Sequence, residues 1–263
     1  MGEQIVQTTP SSNAGYRRIR LFDTLRGASV LSMMLFHLAY DMVFFYGIGS
    51  DAWFSSPLIP FWRSSISWSF LAIAGAMCTF SRSNFKRAAL YLGVALAIYA
   101  ATSLIDAGMA ISFGIIYCMG ACTLAVAILS CLGFAPKGYG WAASFLIAFL
   151  MLLTLPQGRI SLFSITLLEL PGSLYHTGAL SWLGIPGVDF VSADYYPLLP
   201  YLFLFLAGWS CGLVWKEGGY ADPLWDFSIK PFDFLGRHAL PIYVMHQPLL
   251  LLVCQLVSGA IGR

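Results

Sequence analysis

The chain has 263 residues, of which 59% are hydrophobic and only 10% are charged. An ordinary soluble domain carries about 25% charged residues, so this composition excludes that class and predicts an integral membrane protein. The net charge of +2 is too small to predict a nucleic-acid partner.

Apolar runs divide almost the whole chain into membrane-length segments. Residues 1–15 are polar and predict a disordered cytoplasmic tail, followed by one transmembrane domain over residues 16–263. A bilayer core takes about 20 apolar residues per helix, so we expect an all-α polytopic membrane bundle. The seven predicted spans are residues 22–46, 61–80, 88–105, 111–132, 140–156, 198–215 and 238–260.

The first span carries four ionisable side chains in the segment DTLRGASVLSMMLFHLAYD. Arg26 and His37 are separated by close to three helical turns, so they lie on one face, about 16 Å apart along the axis. Asp23 and Asp41 fall within about 40° of His37 on that face. Each such group costs several kcal/mol in a bilayer unless it faces protein or water. The stripe is therefore a candidate functional site.

His37 is predicted in the outer half of this span, about 25 Å above Arg20. Asp41 follows one turn later, and we expect its carboxylate to reach the imidazole of His37. A carboxylate that holds an imidazole fixes the tautomer and raises the basicity, which indicates a catalytic general base. A structural polar pair between two helices is the alternative. Tyr40 is a polar neighbour and a candidate substrate-binding residue.

Arg26 is predicted near the inner surface of the membrane. Alone it would be an interfacial anchor, but its alignment with His37 favours a role in the path of an anionic ligand. Further basic residues could form a cytoplasmic mouth that suits a ligand with several phosphates, although topology alone also favours basic residues there. These residues are Arg17, Arg18, Arg20, Lys86, Arg87 and Arg237.

Residues 157–197 form a long outer connection between the fifth and sixth spans. A connection of this length is usually functional or partly folded, and it could dip back toward the membrane. Its aromatic rings and carboxylates suit a carbohydrate, because rings stack on a sugar and carboxylates accept its hydroxyls. His176, Trp182 and Asp194 are the candidate substrate-binding residues here. An interfacial belt of Trp and Tyr is the alternative.

The last span begins with GRHALPIYVMHQPLL and carries two histidines. His238 is expected at the inner edge, and His246 about 12 Å deeper. His246 stands next to Gln247 and Pro248, and the proline frees a backbone carbonyl. A polar kink at this depth indicates a cavity lining, and both a catalytic and a structural role for His246 remain open.

The distribution of basic residues predicts the orientation of the bundle. Short cytoplasmic loops collect Lys and Arg, so the amino terminus is expected in the cytoplasm and the protein in the inner (plasma) membrane. With seven spans, the opposite side has only Arg63, Arg159 and Arg263. The residues on the predicted cytoplasmic side are Arg17, Arg18, Arg20, Arg82, Lys86, Arg87, Lys137, Lys216, Lys230 and Arg237.

Four stretches of the chain resemble a known family. They are RIRLFDTLRGASVLSMMLFHLAYDMVFF, FWRSSISWSFLAIAGAMCTFSRSNFKRA, DYYPLLPYLFLFLAGWSCG and LGRHALPIYVMHQPLL. In this order they resemble the heparan-alpha-glucosaminide N-acetyltransferase catalytic-domain family, in its short bacterial branch. The chain is also similar to the transmembrane acyltransferase-3 group, whose first helix carries an arginine, ten residues and a histidine, as Arg26 and His37 do here.

The resemblance implies transfer of an acetyl group from cytoplasmic acetyl-CoA to a hydroxyl or amine of a cell-envelope sugar or glycan. It carries over Arg26, which would position the CoA phosphates, and His37 as general base or acyl carrier, with Asp41 as its neighbour and His246 in the last helix. No metal is expected, and the partners are membrane lipids and the acceptor. Seven spans are fewer than in longer relatives, so a homo-oligomer is one way to complete the sites.

Two other functions remain open from the sequence. A transporter or flippase could use the same charged stripe for proton or anion coupling. In a non-catalytic membrane partner, the buried polar groups would only specify helix packing.

Overall fold

Long apolar helices build most of the structure. The computed structural model describes residues 19–105, 110–220 and 222–260; the predicted tail, with Arg17 and Arg18, lies outside the described residues. The helices are α1 (Arg20–Phe44), α2 (Leu58–Ala76), α3 (Asn84–Ile105), α4 (Ile115–Cys131), α5 (Tyr139–Leu152), α6 (Leu198–Glu217), α7 (Lys230–Arg237) and α8 (Ala239–Ala260).

The seven predicted spans fall on seven of these helices, α1–α6 and α8. In the described part of the chain, five helices are long and apolar enough to cross a membrane: Arg20–Phe44, Asn84–Ile105, Tyr139–Gln157, Leu198–Glu217 and Ala239–Gly259. Helix α4 is apolar but has only 17 residues, and α2 carries Arg63 and several serines. The protein is therefore a helical membrane bundle.

The prediction of an all-α fold misses one small sheet in the outer connection. Strands β1 (Arg159–Leu162) and β2 (Ile165–Glu169) pair antiparallel, and Phe163 and Ser164 form the turn between them. Residues 157–197 are thus partly folded, with short turns after the hairpin.

Helix α7 was not predicted either, because residues 216–237 were interpreted as a loop. It has eight residues, with Pro231 at its start, Asp233 in its first turn and Arg237 in its last turn. A proline fits the first turn of a helix, and this order of charges complements the helix dipole. The local signals for a helix were therefore present in the sequence.

Glycines bring α7 into backbone contact with α1. A Cβ atom at Gly27 would lie 1.8 Å from the carbonyl oxygen of Phe232, and one at Gly236 would lie 1.9 Å from the carbonyl oxygen of Asp23. Such distances leave room for a hydrogen atom only. Small residues of this kind let helices in a membrane approach closely, so the two glycines fix α7 against the first helix.

A second close contact joins α2 and α6. Cβ atoms at Gly75, Gly208 and Gly212 would each lie 2.0 to 2.6 Å from a carbonyl oxygen of the facing helix. Next to this contact lies the main hydrophobic core, which α2, α4, α5 and α6 share. Its fully buried members include Leu71, Cys118, Cys122, Val126, Phe149 and Phe205.

Polar contacts place two of the predicted cytoplasmic lysines, Lys137 and Lys216, at one end of the bundle. The Nζ atom of Lys137 lies 2.9 Å from Oε1 of Glu217, and the Nζ atom of Lys216 donates to the carbonyl of Thr79 at 2.9 Å. These contacts join the ends of α2 and α6 to the α4–α5 loop. We call this end the basic end; the outer connection lies at the opposite end.

Candidate active site

The half of the charged stripe that contains Asp23 and Arg26 faces α7. The Nη2 atom of Arg26 donates to the carbonyl of Gly236 at 2.5 Å, and Nη1 lies 3.1 Å from Sδ of Met77. The Thr24 hydroxyl, buried next to Asp23, donates to Asp233 of α7. Asp23 is itself buried against α7. The stripe therefore faces protein, as the cost of charges in lipid requires.

The outer half of the stripe brings two histidines together. The ring centroids of His37 on α1 and His246 on α8 are 4.9 Å apart, and the rings meet edge to face at 63°. Both residues were predicted as catalytic candidates, but not their contact. His246 is only 6% exposed, whereas His37 is partly buried. The pair lies inside the bundle, where the α1 and α8 helices touch.

The tautomer of His246 follows from its hydrogen bond. Its Nδ1 atom lies 2.5 Å from the carbonyl oxygen of Tyr243, and a carbonyl oxygen only accepts, so Nδ1 carries the hydrogen. In the neutral ring, Nε2 then presents a lone pair. This atom is buried and has no hydrogen-bond partner among the described residues. A buried nitrogen of this kind can take a proton or attack a carbonyl carbon.

Asp41 does not hold His37, contrary to prediction. Its fully buried carboxylate accepts from Nε2 of Gln247, which lies 3.0 Å from each oxygen. Within the described chain, the imidazole of His37 has ring contacts with Phe36 and His246 and no hydrogen bond to Asp41. The reason is the neighbouring helix, because α8 supplies an amide donor directly opposite the carboxylate. Asp41 therefore ties α8 to α1 one residue beyond His246.

A cleft near the basic end contains two of the four predicted donor-binding arginines. Arg26 and Arg87 line it, together with the aromatic side chains of Phe70, Tyr91 and Tyr243, and its cavity volume is about 40 Å³. We call it the inner cleft. The guanidinium of Arg87 stacks over the ring of Tyr91, and its Nε donates to the Tyr91 hydroxyl at 3.2 Å.

The other two predicted arginines lie outside this lining. Arg20 and Arg237 are exposed at the basic end, and the Nε atom of Arg237 donates to the carbonyl of Asp233 at 3.1 Å. They are placed at the mouth of the bundle and not in the cleft itself.

A second, smaller cavity lies toward the opposite end. Its cavity volume is about 10 Å³, and Ser112, Tyr117 and Tyr243 provide its hydroxyl groups. Tyr243 and Ile116 line both this outer cavity and the inner cleft. The ring of Tyr243 is also 5.4 Å from that of His246. Tyr243 thus stands between the two cavities and beside the histidine pair, which lies outside both linings.

The predicted substrate-binding residues do not form one cluster in the described structure. Tyr40 is 40% exposed and packs with the ring of Phe44 on α1 and with those of Phe45 and Phe54 beyond its end. His176 and Trp182 are exposed in the outer connection. Asp194 instead accepts a hydrogen bond from the amide of Ile115 at 3.0 Å, at the start of α4 and next to the lining of the outer cavity.

The carboxyl of Asp194 has an unusual environment for a loop residue. Burial raises its pKa from 3.8 to about 6, although the amide of Ile115 and the positive charge of Arg63 act in the opposite direction. Asp194 was predicted to bind a sugar. Its hydrogen bond gives it a structural task as well, because it satisfies one of the free amides at the N terminus of α4.

The fold defines a multi-pass membrane protein in which the contact between His37 and His246 lies beside Tyr243, a residue that also lines the inner cleft. The chain belongs to the heparan-alpha-glucosaminide N-acetyltransferase catalytic-domain family, whose sequence model matches residues 18–248. The match includes both histidines and confirms the family resemblance of the four stretches. It identifies the chain as a transferase of the membrane. No curated protein and no solved structure gives a significant match.

Proposed function

We propose that the protein is an inner-membrane acetyltransferase that uses cytoplasmic acetyl-CoA to acetylate a sugar or glycan of the cell envelope. In this proposal α1–α6 and α8 cross the membrane and the amino terminus is cytoplasmic. The support is the basic end, because lysines and arginines collect on the cytoplasmic side of a membrane protein. Helix α4, with 17 residues, would cross the membrane packed between α3 and α6.

The inner cleft is the proposed donor site. Arg26 and Arg87 bring two guanidinium groups into it, and guanidinium recognises phosphate oxygens through paired N–H donors. Arg20 and Arg237 stand at the basic end, where a ligand with several phosphates would enter. The acetyl thioester would then point away from the basic end, toward Tyr243 and the histidine pair.

The histidine pair is the single observation that carries the proposed chemistry. His37 would take the proton of the acceptor hydroxyl or amine while the acceptor oxygen or nitrogen attacks the acetyl carbonyl carbon. The carbon–sulfur bond breaks, and the proton passes to the CoA sulfur. In the other route, an imidazole nitrogen attacks first, forms an acetyl-histidine and releases CoA, and the acceptor then takes the acetyl group.

The acceptor would approach from the opposite end of the bundle. The outer connection supplies the predicted carbohydrate-binding residues His176, Trp182 and Asp194, and the outer cavity below it offers the hydroxyls of Tyr117 and Tyr243. Rings, carboxylates and hydroxyls are the groups that bind sugars. Tyr40 would contribute from the exposed outer part of α1.

The test uses purified protein in detergent with radiolabelled acetyl-CoA and an extract of cell-envelope glycans. We expect label on the glycan with the unchanged protein, and loss of transfer in His37→Ala and in His246→Ala. His238→Ala is the matched control, because His238 is an exposed histidine outside both cavities. Label retained on the protein would indicate the acetyl-histidine route. Unchanged transfer by His37→Ala would remove His37 from the mechanism.

One observation favours a transporter as the second candidate. The inner cleft and the outer cavity lie end to end and share Tyr243 and Ile116, as the two halves of a permeation path would. A transporter predicts substrate flux into liposomes without acetyl-CoA and without consumption of the thioester. A purely structural role for the histidines predicts that their variants change stability or association alone.

A further inference from the structure

The β-hairpin of the outer connection exposes an unusual amount of apolar surface. The exposed fractions are 86% for Phe163, 68% for Ile165, 52% for Leu167 and 54% for Leu168. Neighbouring exposed apolar side chains of this kind mark contacts with a membrane or another protein.

Charges stand only at the base of the hairpin. Arg159 and Glu169 face each other across the two strands where the hairpin begins, and the nine residues between them include no charged side chain. At the tip, Phe163 has a left-handed backbone with φ of 53°, a conformation that favours glycine or asparagine in short hairpin turns. A large apolar side chain is therefore present at the tip where turn chemistry alone would select a small polar one.

The hairpin also lies next to a helix that exposes apolar side chains. Strand β1 packs against α5, whose side chains Leu146 and Ile147 are 44% and 52% exposed. The chain reverses between α5 and β1 through the turn at residues 155–158. The exposed apolar side chains of the hairpin and of α5 thus lie on elements that pack against each other.

We propose that hairpin 159–169 inserts its apolar side chains into the membrane leaflet at the end of the bundle opposite the basic end. Lipid acyl chains surround Phe163, Ile165 and Leu167, while Arg159 and Glu169 stay at the headgroups. A two-stranded hairpin has open edges, whose backbone groups cannot be satisfied inside hydrocarbon. The insertion therefore stops at the boundary between headgroups and acyl chains, and it holds the outer connection down on the membrane.

Spin labels can measure this placement in the full-length protein. Cys131, which is exposed, and Cys211, which is partly exposed, are replaced by alanine, and Phe163→Cys carries a nitroxide in phosphatidylcholine–phosphatidylglycerol vesicles. Leu96→Cys on the exposed face of α3 is the lipid reference, and Ser173→Cys, in an exposed turn of the outer connection, is the water reference. Collisions with oxygen and with a polar nickel chelate are compared at each position.

We expect oxygen collisions to exceed nickel collisions several-fold more at position 163 than at 173, and less than at 96. A label at Leu167→Cys, which keeps Phe163 in place, should give the same ranking. Collision ratios at 163 and 167 equal to those at 173 would place the hairpin in water and overturn the proposal. Low collisions with both reagents, with spin–spin broadening between labelled copies, would also overturn it, in favour of a second copy of the chain.

Discussion

Replacing Gly27 by alanine is expected to separate α1 from α7. The new Cβ would lie 1.8 Å from the carbonyl oxygen of Phe232, whereas ordinary contacts begin near 3.4 Å, so the helices must part by roughly 1.6 Å or distort. Overpacking of this kind costs about 1–3 kcal/mol or more. Each kcal/mol lowers Tm by about 2–4 °C in a chain of this size.

Gly93→Ala is the matched control for this substitution. Gly93 lies on the exposed face of α3 with no atom within 4 Å of its Cβ position, and alanine is favoured over glycine inside a helix by about 0.5–1 kcal/mol. Thermal unfolding in detergent should therefore show a lower Tm for Gly27→Ala and an equal or higher one for Gly93→Ala. Equal Tm values for the two variants would refute the backbone contact between α1 and α7. Because the carbonyl of Gly236 holds Arg26, Gly27→Ala should also raise KM for acetyl-CoA.

Three further predictions test individual contacts. Because the pKa of Asp194 is raised to about 6, the folded protein holds the proton of this carboxyl more tightly than the unfolded chain does. The free energy of unfolding should therefore fall by up to about 3 kcal/mol as pH rises from about 4 to about 6. Asp194→Asn should flatten this part of the plot of Tm against pH, and an unchanged slope would contradict the raised pKa of Asp194. Arg26→Gln and Arg87→Gln each remove a guanidinium from the inner cleft, so each should raise KM for acetyl-CoA about tenfold or more with a smaller change in kcat. An unaltered KM in both variants would exclude the inner cleft as the donor site. Gln247→Leu leaves the buried carboxylate of Asp41 without its hydrogen-bond donor and should cost about 1–3 kcal/mol of stability. The double variant with Asp41→Leu should recover part of this loss. A neutral effect of Gln247→Leu would show that the hydrogen bond between Gln247 and Asp41 does not stabilise the fold.

The helices and the common face of the charged stripe could be predicted from the sequence, because lipid imposes strong rules. A span needs a long apolar run, and a charged group inside it must face protein or water. Both rules apply to one helix at a time, so Arg26 and His37 could be placed on a common face before any neighbour was known. That face does meet protein, at α7 and α8.

The partners across the stripe depend on which helices become neighbours, and helical periodicity does not specify this. The prediction paired Asp41 with His37 because they are one turn apart on the same helix, but Gln247 arrives from a helix about two hundred residues later in the chain. The contact between His37 and His246 has the same origin. The hairpin was missed for a local reason, because its turn is Phe163–Ser164 and not the asparagine–glycine pair that usually signals such turns.

The central claim is that the pair of His37 and His246 carries acetyl transfer, and radiolabelled acetyl-CoA tests it most directly. The measurement compares the unchanged protein with His37→Ala, His246→Ala and the control His238→Ala, each first shown by thermal unfolding to be folded in detergent. We predict labelled glycan with the unchanged protein and with His238→Ala, and no transfer with either variant of the pair. Transfer by folded His37→Ala and His246→Ala at the rate of the unchanged protein would contradict the account.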